Sequence, residues 1–128
     1  SWDSSGNVST NSGYGSNAVE YGCRAWVNFN ATTSPGTIRG SGNVSSVTKN
    51  ATGDYTINFT TAMPDANYSV SCTQGDGTSN ASIPYMLGFT LGGLNKTIGI
   101  ATGSVRVYSI TYTGGTYDAL YNNVEVFR

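Results

Sequence analysis

The chain has 128 residues and a mass of 13.4 kDa, enough for one domain with a core of its own. Gly, Ser, Thr and Asn supply 63 of the residues, charged side chains make up 10%, and the formal net charge is −1. Those four residue types are disfavoured in helix interiors, which excludes an all-helical fold, and 15 aromatic residues with so little net charge argue against disorder.

Residues 1–18 are rich in Ser, Gly and Asn without apolar periodicity, and they read as a linker or a loosely packed entry segment before a domain over 19–128. Trp2 and Tyr14 stand out in it, as residues for docking on the domain's flank or on a neighbouring chain. From Tyr21 the pattern has period two. Cys23, Ala25, Val27 and Phe29 fall on one face, and Arg24, Trp26 and Asn28 on the other, as in a half-buried strand. Ala31–Gly36 is turn chemistry, Thr37–Ser41 a short edge strand, and Gly42-Asn43 a tight turn. Val44–Asn50 is a polar strand with Val44 and Val47 as its apolar points, Ala51-Thr52-Gly53-Asp54 is a turn and Tyr55–Thr60 alternates cleanly, so 45–60 reads as a hairpin.

Met63–Asn67 is a loop, and Tyr68–Thr73 alternates again with Tyr68, Val70 and Cys72 inward. Gln74–Pro84 is the longest polar loop, followed by an apolar strand at Tyr85–Leu91. Thr97–Thr102 and Val105–Thr113 read as a pair joined by Gly103-Ser104. In the second of these, Tyr108 and Tyr112 share a face with Arg106 and Ile110, so both faces of that strand are apolar enough to need cover. Gly114–Asn123 is a Tyr-rich loop and Val124–Arg128 a terminal strand. Eight or nine short strands with turn signals about every ten residues predict an all-β fold, an antiparallel β-sandwich of Greek-key or jelly-roll character.

The chemistry-bearing residues are sparse. There is no His, which removes Ser-His-Asp and Cys-His catalysis and the commonest zinc ligand. The six basic residues (Arg24, Arg39, Lys49, Lys96, Arg106 and Arg128) stand singly, so nucleic acid is not an expected partner. No apolar run approaches the ~18 residues of a membrane span, so membrane insertion is not expected. Cys23 and Cys72 both fall on apolar strand faces, as free buried thiols or as one inter-sheet disulfide. Eight N-x-S/T sequons occur, an excess that reflects the polar composition of sheet surfaces better than glycosylation, since Asn58 lies inside a strand. No two acidic residues are spaced as a glycosidase pair, and Gln74–Thr78 lacks the further acidic positions of a calcium loop. No enzyme activity, cofactor or metal is expected.

The nine tyrosines are more informative. Tyr117 and Tyr121 lie beside Asp118, Asn122 and Asn123, the residue set of recognition loops. A flat ring stacks on a sugar or other flat ligand while amides and hydroxyls hydrogen-bond it.

Three segments then carry a resemblance. They are Ala25–Asn30 (AWVNFN), Ile38–Val47 (IRGSGNVSSV) and Thr52–Tyr68 (TGDYTINFTTAMPDANY). Over about residues 21–72 this ordered pattern resembles a domain common at the carboxy-terminal end of bacteriophage tail fibre proteins. The resemblance implies a β-rich tip domain, homotrimeric, joined to other virion tail proteins and located in the virion after assembly in the host cytoplasm. Its implied partner is a bacterial surface receptor, either a glycan or an outer-membrane protein. The matching stretch would be scaffold. Specificity would then reside in Gln74–Pro84 and Gly114–Asn123, which makes Asp76, Asn80, Tyr85, Tyr117, Asp118 and Tyr121 the candidate receptor contacts. The rival expectations are a monomeric carbohydrate-binding module of a secreted protein, a depolymerase fragment of a tailspike, and a purely structural fibre component.

Overall fold

The computed structural model describes residues 1–4, 6–11, 13, 15–75, 86–92, 99–111 and 114–128. Among them are ten strands and no helix: β1 (Val8–Thr10), β2 (Ala18–Glu20), β3 (Cys23–Asn30), β4 (Thr37–Gly42), β5 (Val44–Ala51), β6 (Asp54–Phe59), β7 (Ser69–Gly75), β8 (Met86–Leu91), β9 (Ser104–Thr111) and β10 (Tyr121–Phe127). All ladders are antiparallel. One sheet has the order β4-β3-β10-β7, a second β5-β6-β9-β8, and β1 and β2 form a small separate sheet.

The two larger sheets share one core, as an antiparallel sandwich does. Alternation in β3 and β10 sends Ala25, Val27, Phe29, Val124 and Val126 inward from the first sheet. Val44, Val47, Tyr55, Ile57, Phe59, Val105 and Val107 meet them from the second. The Phe29 and Tyr55 rings cross the interlayer edge to face, with centroids 5.2 Å apart. Each fully buried Val, Ile or Phe in this layer stabilises the fold by roughly 1.5–3 kcal/mol.

The chain changes sheet wherever regular pairing is interrupted. Asn43 takes φ 53° between β4 and β5, a left-handed conformation that Asn tolerates. Its side chain fixes that corner, donating to the Arg24 and Thr61 carbonyls and accepting from the Thr61 amide. Tyr68 closes the next crossing, where its hydroxyl reaches the Ala101 and Ser104 carbonyls. At the opposite end the core turns polar. Ser109 donates to Gln74, Gln74 to Asn122, and Asn122 to the Phe29 and Ala119 carbonyls, so the buried amide is satisfied.

In the entry segment β1 pairs with β2, and Asp3 accepts from the Asn7 backbone and side-chain amides to close a turn. Other expectations change. Tyr121, Asn122 and Asn123 belong to β10, since all three pair with β7 and the last two also with β3. Cys23 is exposed, because it lies at the strand end beyond the core and the register shift at Arg24 pairs it with Phe127 rather than with an inward residue, and both cysteines are free. β9 is a central strand laddered to β6 and β8, and among the described residues its expected partner meets it at the Ile100–Val105 bridge and through the Arg106 amide, which donates to the Gly99 carbonyl at 2.6 Å.

Candidate functional site

The outer face of the β4-β3-β10-β7 sheet carries an aromatic and amide strip. Along β3 the outward residues are Arg24, Trp26 and Asn28, and along β10 they are Tyr121, Asn123 and Glu125. Trp26 is 44% exposed and Tyr121 41% exposed. The Trp26 ring lies over the edge strand because two glycines leave room for it. A Cβ on Gly42 would meet the Trp26 Nε1 at 2.5 Å, and one on Gly40 would meet its ring at 3.2 Å. Between the rings runs an amide ladder: Asn28 Nδ2 donates to Asn123 Oδ1 at 2.5 Å, and Asn123 Nδ2 donates to Thr73 Oγ1 at 3.2 Å. Trp26 pairs with Glu125, four residues along β10 from Tyr121, so the backbone positions of the two aromatic residues lie about 13 Å apart along the strand direction.

Two irregularities place cations on this face. The β3–β4 register skips Arg39, which is the extra residue opposite the Asn28/Phe29 step. A bulge re-aims such a residue, and Arg39 joins Gly40 on the outer side. Its guanidinium sits 4.3 Å from the Tyr121 ring centroid and donates from Nη1 to Asn28 Oδ1 at 3.3 Å. Arg24 is skipped in the same way between Ala25 and Cys23 in the β3–β10 register. A groove of about 420 Å³ begins at Arg24 and is also lined by Trp2, Val19, Tyr21 and Arg128. Trp2 and Tyr21 are each 78% exposed.

The loop candidates divide. Asp76, Asn80 and Tyr85 lie outside the described residues, as do Tyr14 and Tyr112. Asp118 faces inward to a polar hub: its carboxylate accepts from Lys49 Nζ at 2.6 Å, the Tyr55 hydroxyl at 2.5 Å and the Gly53 amide at 2.9 Å. Burial alone would raise the Asp118 pKa, but the bonds from Lys49, Tyr55 and Gly53 overcome it and hold the carboxyl below its ordinary value. Burial and the Asp118 bond push the Tyr55 hydroxyl well above the usual phenol range. Tyr117 is half-buried, and its carbonyl accepts from Tyr55 at 3.4 Å. Tyr121 therefore reaches the surface strip while Asp118 ties the loop to the β5–β6 turn.

Sequence reasoning placed Trp26 on the polar phase of its strand without reading it as a site. A large ring on the outward phase, opposite glycines in the neighbouring strand, was the available signal. The bulges carrying Arg24 and Arg39 had no sequence signal.

The outer face of the other sheet is different. Asn58 Nδ2 donates to Ser46 and Thr48 hydroxyls, Asn50 Nδ2 to Thr56 and Asp54, and Arg106 forms a two-pronged pair with Asp54 at 2.7 Å. Asp54 is fully buried, and the pairing raises the Arg106 pKa.

Compared with protein-family models, curated proteins and solved structures, the chain matches none.

Proposed function

We propose that this chain is a non-catalytic attachment domain of a bacteriophage tail fibre, working as a homotrimer that grips a receptor on the bacterial surface. The observation that carries the binding reading is where the exposed apolar surface gathers. The exposed large hydrophobic residues among the described ones are Trp2, Val19, Tyr21, Trp26 and Tyr121. Two stand on the outer face of the first sheet, and the other three line or flank the groove at its Arg24 end. Apolar surface collected on one side of a small domain marks an interaction site. The tail-fibre part of the reading rests on the three sequence segments that resemble such tip domains, which fall on β3, β4 to β5, and β6 with the crossing after it.

The physical setting supports the same reading. Hydroxyl and amide ladders hold their bonds regardless of salt and across a wide pH range, which suits a protein that works outside the cell. Three copies would present three weak sites, and linked weak sites add through avidity. Labelled wild-type protein is expected to adsorb to susceptible bacteria, and Trp26→Ala and Tyr121→Ala to weaken adsorption with melting temperatures close to wild type. Unchanged adsorption by both variants would discard the strip. Light scattering should return three times the 13.4 kDa chain mass, whereas a monomer would favour a carbohydrate-binding module.

A further inference from the structure

We infer that the outer face of the β4-β3-β10-β7 sheet binds an acidic glycan, with a carboxylate-bearing sugar seated at Arg39 and the glycan chain running along β3 toward Arg24. The inference rests on the attachment reading above and names its receptor class.

Three observations carry it. First, cations divide by pairing. Lys49, Arg106 and Arg128 each pair with a carboxylate, whereas Arg24 and Arg39 have no carboxylate partner among the described residues. Both of those arginines lie on this one face, in a protein whose formal net charge is −1. Second, both occupy the extra position of a β-bulge, and bulges break regular pairing to aim a side chain. Third, Arg39 is held before any ligand arrives. Stacking on Tyr121 fixes its plane, and the bond to Asn28 uses one nitrogen, leaving the rest of the guanidinium fork for a carboxylate. A held guanidinium loses less freedom on binding than a free one.

The rest of the strip suits sugar rings rather than a protein surface. Trp26 offers a flat exposed face, and Asn28, Asn123 and Thr73 offer amide and hydroxyl groups at the level of the sheet. Among the described residues of β3, β4, β7 and β10, Glu125 is the carboxylate on the face, and Glu20 lines the groove beside Arg24. Glu125 lies across from Trp26, away from Arg39, where it accepts from sugar hydroxyls and disfavours a second acidic group. The ligand is therefore a glycan with spaced acidic sugars, not a dense polyanion.

The test uses the intact chain on an array of bacterial surface polysaccharides, sorted into neutral glycans and those bearing uronic or sialic acids. Binding is expected to fall on acidic members and to weaken with salt. Arg39→Gln should weaken it about tenfold or more, and Trp26→Ala by a similar factor, while Arg39→Lys should restore only part because the ammonium lacks the fork. Far-ultraviolet circular dichroism and melting temperature check that each variant is folded. Selection of neutral glycans, binding to no acidic glycan, or equal binding by Arg39→Gln would overturn the inference. Adsorption to whole cells is measured in parallel. Cells bound without an acidic glycan would point to a protein receptor and leave attachment standing, whereas no adsorption to any bacterium would sink the attachment reading itself.

Discussion

The two outer faces of the sandwich are made from the same residue types and end in opposite states. On the β5-β6-β9-β8 sheet, Asn50, Asn58, Thr48, Thr56 and Ser46 bond one another, and Arg106 is locked on buried Asp54. On the β4-β3-β10-β7 sheet, the amides also bond one another, but two aromatic rings and two arginines are left facing solvent. Composition alone does not distinguish these faces. Register does, because bulges at Arg24 and Arg39 and glycines at 40 and 42 decide which groups are spent internally and which remain for a ligand.

That contrast is open to separation by mutation. The largest effect belongs to the spent face. Asp54→Ala leaves Arg106 without its carboxylate in a partly buried site, and breaking such a pair costs about 3–5 kcal/mol. Chemical denaturation should show that loss, while glycan or cell binding per folded molecule stays at the wild-type level.

Asp118→Asn comes next, at about 2 kcal/mol near neutral pH, because Lys49 loses its ion pair. The folded Asp118 pKa is lowered, so its stabilising contribution is complete above the ordinary carboxyl value of 3.8 and disappears as pH falls through the lowered folded value. The gap between wild type and Asp118→Asn in urea titrations should therefore narrow as pH falls below 3.8. A gap that stays constant with pH would show that the carboxylate charge is not what holds the hub.

Gly42→Ala is a smaller and more selective perturbation. The added methyl would collide with Trp26, so the ring must leave its seat, with a stability change of about 1 kcal/mol. Binding should drop several-fold, and Trp fluorescence should report the changed ring environment. The smallest effect concerns thiols. Burial, with help from Glu125, pushes the Cys72 pKa up to about 11, whereas Cys23 is exposed. One thiol per native chain should react quickly with a maleimide near neutral pH, and both after unfolding.

Most of the scaffold was legible because period-two patterning is a direct consequence of strand geometry. Ala25, Val27 and Phe29, then Tyr55, Ile57 and Phe59, announce their inward faces, and Gly42-Asn43 announces its corner. What was not legible depended on pairing between distant segments. Tyr121–Asn123 look like loop residues until β7 ladders all three and β3 takes Asn122 and Asn123 from the other side. Asp118 looks like a ligand contact until Lys49 and Tyr55, 69 and 63 residues away in sequence, converge on its carboxylate. Asp54 reads as a turn-capping residue, and only the register of β6 with β9 brings Arg106 to it. A bulge is a property of two strands, so no single segment reveals that Arg24 and Arg39 stand out of register.

The proposed receptor surface is the outer face of the β4-β3-β10-β7 sheet. Amide chemical-shift mapping during titration with a uronic-acid or sialic-acid glycan probes it residue by residue. Perturbations are expected to concentrate at residues 24–28, 39–42 and 121–125 and to fade when Arg39 is changed to Gln. Perturbations centred on 46–58 and 104–110 instead, or none at any glycan concentration, would contradict it.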